Sequence, residues 1–136
     1  MNRIIGLDIG EKRIGLAISD ALNIIATPIS TLGPHDIYLE LKNLVSKYSV
    51  NVFVIGYPIN LDGNFTDGTI FVDNFIKRIK KEFPNIKICK LDERFTSKIA
   101  KKQLIASGLK KKKRQNKSLV DQMSAAIILQ DYLNSK

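Results

Sequence analysis

The means to form a disulfide are missing from this sequence. One cysteine, Cys89, stands among 136 residues, so no internal bridge can form and a reducing compartment is expected. Cys89 falls in an apolar stretch, where a small core residue is expected. No apolar run approaches the ~20 residues that cross a bilayer. The apolar stretch near the N-terminus is short and broken by Asp8, unlike a secretory signal, which makes the cytoplasm the expected location. Repeats, low-complexity linkers and composition breaks are also absent, so residues 1–136 are expected to form a single domain. Acidic residues are scarce: 13 Asp and Glu face 22 Lys and Arg, for a net charge of +9. With a pI near 9.7, a polyanionic partner, above all nucleic acid, is favoured. An apolar content of 44% and a mean hydropathy of −0.06 describe an ordinary globule with a real core.

What is present begins with Gly6-Leu7-Asp8-Ile9-Gly10-Glu11-Lys12-Arg13-Ile14-Gly15. Two apolar runs flank a short glycine-bearing polar segment, the pattern of a β-hairpin. A carboxylate in mid-strand costs several kcal/mol if buried unpaired. Asp8 therefore needs a cation or donor partner or an opening into a cleft, and holding a divalent metal is the most economical account.

Further elements follow the same logic. Residues 3–8, 13–19 and 24–29 read as an antiparallel meander. Ile37, Leu41, Leu44, Val45 and Tyr48 fall on one helical face after Pro34. The run 50–55 is β-branched and apolar almost throughout, as in a strand buried on both sides, and Gly56-Tyr57-Pro58 is expected to end it. Asn60-Leu61-Asp62-Gly63 reads as a turn. A second helix is expected from about Asp67, with Val72, Phe75, Ile76, Ile79 and Phe83 on its apolar face and Pro84 as its stop. Residues 86–91 form a fifth strand. Thr96 can cap a third helix ending at Gly108, and a last helix spans 118–133. Strands alternating with helices imply parallel crossovers. The expected architecture is α/β: a five-stranded mixed sheet, three strands antiparallel and two parallel, with helices on both faces. That is the ribonuclease H-like layout.

Three acids stand out: Asp8 on the first strand, Glu93 directly after the fifth, and Asp121 in the first turn of the last helix. Ligands of such sheets gather at the carboxyl ends of the strands. Ser124 and Ala125, three and four residues after Asp121, would let that helix approach the sheet closely. Converging carboxylates need a cation, and oxygen ligands without His or Cys point to Mg²⁺ or Mn²⁺. Two such ions ~3.5–4 Å apart are the usual device for phosphodiester hydrolysis. Each acid also has a plainer account. Asp121 completes a capping-box pattern with Ser118. Asp92 and Glu93 could be exposed loop acids, one paired with Arg94. The run Lys110-Lys111-Lys112-Lys113-Arg114, with Lys117 behind it, is on base rates a solvated loop, but it leads straight into the helix bearing Asp121. His35 is expected to be inert. Tyr57 and Phe65 could stack on bases, but packing is the better expectation.

Four segments together resemble a known family. They are Gly6 to Gly10 with Arg13 to Ala17, Gly56-Tyr57-Pro58 with Asp62-Gly63, Asp92 to Ser97, and Asp121 to Ala126. Each is weak alone, but in this order over essentially the whole chain they resemble the YqgF family, also called RuvX, of bacterial ribonuclease H-like proteins. The resemblance implies a cytoplasmic nuclease related in fold to the RuvC Holliday junction resolvase. It implies a role in maturing the 5′ end of the 16S ribosomal RNA precursor, with resolution of branched DNA as the alternative. It also implies Asp8, Glu93 and Asp121 as catalytic metal ligands. Nucleic-acid contacts are expected from Lys12, Arg13, Arg94, Lys110, Lys111, Lys112, Lys113, Arg114 and Lys117. The resolvase relatives place further acids or histidines around the last-helix aspartate. Here those positions hold Ser118 and Ala125, leaving three clear ligands, with Asp92 as a neighbour to borrow.

Two other classes stay in view. Actin-like and sugar-kinase ATPases open with a similar Asp-x-Gly hairpin but need two such domains, and 136 residues have room for one. A non-catalytic RNA-binding factor would keep the fold and the charge without turnover. Sequence leaves open RNA against DNA, endonuclease against exonuclease, and monomer against homodimer.

Overall fold

The computed structural model describes residues 2–57, 67–92 and 117–135. Glu93, Arg94, the helix expected at 96–108, the basic run 110–114, the turn at 60–63 and Phe65 lie outside the described residues. The described residues form five strands: β1 (Arg3–Ile9), β2 (Ile14–Ser19), β3 (Ala26–Leu32), β4 (Val50–Tyr57) and β5 (Lys87–Asp92). They form one sheet in the order β3-β2-β1-β4-β5. β1 pairs antiparallel with β2, and β2 with β3, while β1–β4 and β4–β5 are parallel. The mixed sheet expected from sequence is therefore the one found.

Helices α1 (Ile37–Lys47), α2 (Asp67–Glu82) and α3 (Lys117–Asn134) cover the sheet. Alternation along β1 explains why both faces are buried. Ile5, Leu7 and Ile9 join Ile14, Leu16 and Phe53 in a core with Ile37, Leu41, Val72, Ile76 and Ile79 of α1 and α2. Ile4 and its face-mates Ala17, Val52 and Val54 pack with Ala125, Ile128, Leu129 and Tyr132 of α3. Gly6 and Asp8 share that second face by the two-residue period of a strand. Among the described residues no helix is long and apolar enough to cross a membrane.

Of the boundaries that differ from the sequence reading, three carry a structural lesson. β3 begins at Ala26 rather than residue 24, because Ile24 and Ile25 belong to a turn. Their N–H groups both donate to Asp20 Oδ1, at 2.7 and 2.9 Å, and Asn23 takes a left-handed φ of 57°. Turn chemistry thus overrides the strand preference of two isoleucines. β4 runs on through Gly56 and Tyr57, which pair with Leu91 and Asp92. The last helix already includes Lys117, so Asp121 lies beyond its first turn, and Ser118 is inside the helix rather than at a capping position.

Candidate active site

β1 and β2 are joined by a tight turn in which the Gly10 N–H donates to the Arg13 carbonyl at 2.9 Å. Across the hairpin the Cα partner of Asp8 is Gly15. Gly15 has no side chain, and the backbone of Asp121 fills the space one would need: a Cβ there would collide with the Asp121 carbonyl and lie 2.9 Å from the Gln122 nitrogen. Gly6 does the same one turn of α3 further on, where a Cβ would lie 2.7 Å from Leu129 Cβ and 2.9 Å from the Ala125 oxygen. Two glycines on one sheet face thus seat α3 directly on β1 and β2. Sequence reasoning assigned the close approach to Ser124 and Ala125. Ala125 is fully buried at this contact, but the room is made on the sheet side.

The result is that Asp8 and Asp121, 113 positions apart in sequence, line one pocket of about 430 Å³ with Gly10, Glu11, Lys12 and Arg13. Asp8 is half-buried near the carboxyl end of its strand and opens into this cleft. That resolves the burial cost raised by its mid-strand position. Asp121 is half-buried, and Arg13 Nε donates to its Oδ2 at 2.6 Å. This charge-assisted bond ties α3 to the hairpin turn. Arg13, expected from sequence to meet nucleic acid, also sits on a proposed metal ligand. Glu11 lines the same pocket and was not singled out in the sequence, where it reads as an ordinary turn residue. Lys12 is exposed at the pocket rim.

The pocket's donor set is hard: its lining side chains offer carboxylate oxygens and neither histidine nor thiolate. That chemistry fits Mg²⁺ or Mn²⁺. Among the described residues no three His, Cys, Asp or Glu side chains converge closely enough to hold an ion; of the three ligands expected from sequence, Asp8 and Asp121 line the same pocket and Glu93 lies outside the described residues. Asp92, the neighbour considered as a substitute, is exposed at the end of β5 with Tyr57 as its Cα partner. Tyr57 is anchored, not presented as a free ring. Its hydroxyl donates to Asp73 Oδ1 and Oδ2 at 2.9 and 3.0 Å, and Lys90 Nζ lies 4.6 Å from its ring centroid. Burial and the adjacent Asp73 carboxylate push the Tyr57 hydroxyl pKa up.

Comparison with known proteins bears on this arrangement. A model of the RuvX family, described as a Holliday junction resolvase, matches residues 2–135. The chain belongs to the RuvX family. Among relatives, proteins named "Putative pre-16S rRNA nuclease" from Flavobacterium johnsoniae and Flavobacterium psychrophilum are 41% and 43% identical, each alignment covering 100% of this chain and 99% of the relative. One of the same name from Bacteroides thetaiotaomicron is 41% identical over the same shares. Thermus thermophilus RuvC, solved with a Holliday junction substrate, superposes with a TM-score of 0.61 at 12% identity, covering 99% of this chain and 96% of that one. A Fowlpox virus resolvase solved with Holliday junction DNA gives 0.59 at 17% identity, covering 98% and 97%. At such identities the likeness speaks to fold, and the fold of this RuvX chain is ribonuclease H-like.

Proposed function

We propose that this protein is a metal-dependent nuclease that hydrolyses phosphodiester bonds in the 5′ region of the 16S ribosomal RNA precursor. The observation that carries the reading is the meeting of Asp8 and Asp121 in one open pocket at the carboxyl end of β1. Full-length relatives named for that activity support the substrate, and the +9 charge suits a polyanion.

In this reading Asp8 and Asp121 hold the divalent ions, with Glu93, next in the chain after β5, as the third ligand. The chemistry bound ions supply is neutralisation of the scissile phosphate and activation of the attacking water. The chain's own residues do the rest. Asp8 fixes its carboxylate on a rigid strand. Arg13 pairs with Asp121 Oδ2 across the pocket, so a bound ion would share that carboxylate with the guanidinium. Lys12, at the rim, and the basic residues Arg94, Lys110, Lys111, Lys112, Lys113, Arg114 and Lys117 take phosphates of the bound strand, which positions it without reading its sequence.

A second reading is favoured by the family description and by the two junction-bound neighbours: resolution of four-way DNA junctions. It calls for two active sites and hence a homodimer. The discriminating experiment gives the purified protein a precursor fragment and a four-way junction side by side, with Mg²⁺ and with Mn²⁺, while its mass in solution is measured. Cutting of the precursor alone by a monomer supports the RNA reading. Symmetric cutting of the junction by a dimer supports the DNA reading. Asp8→Asn is expected to bind and not cut, and undiminished cutting by that variant would remove both.

A further inference from the structure

The side of the sheet away from the carboxylate pocket carries a feature that the proposed chemistry does not use. Asn74, Lys77, Arg78 and Lys81 lie at i, i+3, i+4 and i+7 of α2, one stripe along the helix. All four are exposed. An exposed basic stripe is by itself an ordinary solvated face, but here it borders two contiguous hollows. The first, about 300 Å³, lies between α1 and α2 and is walled by Pro34, His35, Tyr38, Phe71, Phe75 and Arg78. The second, about 540 Å³, continues along α2 past Lys77 and Lys81. Asn74 and Arg78 line both.

The first hollow is built from flat groups. The Tyr38 and Phe75 rings stack with centroids 5.5 Å apart and an interplanar angle of 27°. The Arg78 guanidinium carbon lies 3.7 Å from the Tyr38 centroid, so the ring fixes the guanidinium as a planar, charged wall. Its volume sits at the small end of ligand sites. Glu82 offsets one positive charge, at 3.8 Å from Arg78, leaving Lys77 and Lys81 in excess.

Topology places this groove near the carboxylate pocket. Leu32, the last residue of β3, is the Cα partner of Ile14, which follows Arg13. Pro34 and His35 come two and three residues later. With strands ~4.8 Å apart and at most ~3.6 Å of chain per residue, the rim of the hollow and the hairpin turn share one end of the sheet.

We infer that the groove between α1 and α2 is a second contact surface for single-stranded nucleic acid, in which Lys77 and Lys81 take phosphates and the hollow beside Tyr38 and Arg78 receives an unpaired base. Unpaired bases are recognised by stacking on aromatic rings and guanidinium planes, and phosphates by lysines in a row. The inference rests on the nucleic-acid partner proposed above but not on the cleavage chemistry.

The test is binding of a labelled oligonucleotide to the whole chain in EDTA, read by anisotropy over a salt series. The proteins are wild type, Lys77→Gln/Lys81→Gln, Arg78→Met and Asp8→Asn. Removing two phosphate contacts is expected to flatten the log–log salt slope by about 1.4, which corresponds to about 25-fold weaker binding near 0.1 M salt. Arg78→Met is expected to lower affinity for RNA and DNA strands with unpaired bases several-fold more than for a fully paired duplex. Equal urea midpoints for the lysine variant and wild type guard against misfolding. Where cutting occurs, the lysine variant is expected to raise KM and leave kcat unchanged. If no substrate is cut but the salt slope still falls, the nuclease reading fails and this one stands. An unchanged slope in the lysine variant overturns it. So does an acidic peptide that binds the groove more tightly than the oligonucleotide, which would assign the surface to a protein partner.

Discussion

Gly15 lies against the main chain of Asp121 with no room for even a methyl group between them. Gly15 is also the cross-strand partner of Asp8. One residue without a side chain therefore sets the spacing of the two carboxylates: the strand pairing fixes Asp8 beside it on the sheet, and the helix contact fixes Asp121 above it. Arg13, two residues earlier, closes the arrangement from the turn.

Gly15→Ala is expected to be among the most damaging single substitutions available in the hairpin. The atom a Cβ would meet is backbone, which cannot rotate away, so α3 must shift. Overpacking of this kind costs about 1–3 kcal/mol, read as a lower urea midpoint, and activity should fall by more than the loss of folded protein accounts for. Gly33→Ala is the control. A Cβ there meets only the tip of Asp36, at 4.0 Å, so its midpoint is expected to stay within about 0.5 kcal/mol of wild type.

Asp8→Asn and Asp121→Asn should separate catalysis from folding. If these carboxylates hold the ions as proposed, each substitution is expected to lower the cleavage rate by at least ~100-fold, or ~2.7 kcal/mol of barrier. Asp8→Asn should leave stability within about 1 kcal/mol of wild type, because the side chain opens into a cleft. Single-turnover cleavage and urea denaturation on the same preparations check both.

Arg13→Met removes the cation beside Asp121. The pair is partly exposed, 37% on the Arg13 side chain and 23% on Asp121, so its direct contribution is about 0.5–1 kcal/mol and shrinks with added salt. Mn²⁺ affinity is expected to rise several-fold in this variant, since a fixed positive charge on a ligand oxygen opposes a dication. Calorimetric titration of Mn²⁺ in the two proteins decides it, and weaker binding in the variant would make Arg13 a support of the site instead.

Two carboxylates give pH effects of opposite sign. Asp20 accepts backbone N–H donors from Ile25 and Ile24, which holds its pKa below the usual 3.8. Its contribution is therefore full above the ordinary carboxylate range and disappears as pH falls through the lowered value. Asp131 is raised by burial, so its ionised form is a cost that appears as pH rises through that raised value. Asp20→Asn should lower the urea midpoint at neutral pH, the gap closing in acid. Asp131→Asn should raise it at neutral pH, and that gap should also close in acid.

The sheet was readable in the chain because its signals are local. The β-branched run at 50–55, the alternation around Asp8 and the helical face at Ile37, Leu41 and Leu44 each report a period within a dozen residues. Where reading failed, a side chain acted across a turn or a distant strand supplied the pairing. Asp20 capping the N–H groups of Ile24 and Ile25 moved the start of β3, and pairing with Leu91 and Asp92 carried β4 through Gly56 and Tyr57. In the candidate site Asp8 was legible by its cost, a charge within an apolar strand. Glu11 was not, because an exposed turn acid has no distinguishing pattern. The bond between Arg13 and Asp121 spans 108 positions, and no local spacing encodes it.

By itself, then, the sequence determined the kinds and order of the described elements, the basic charge and the presence of an acid where an acid is expensive, since all of these follow from residue type and short-range period. Only tertiary structure decided that Gly6 and Gly15 are the surface on which α3 rests, that Asp8 faces Asp121, and that Arg13 stands between the turn and the helix. Those are matters of distance between segments far apart in the chain, set by strand register and by how closely two backbones can pack.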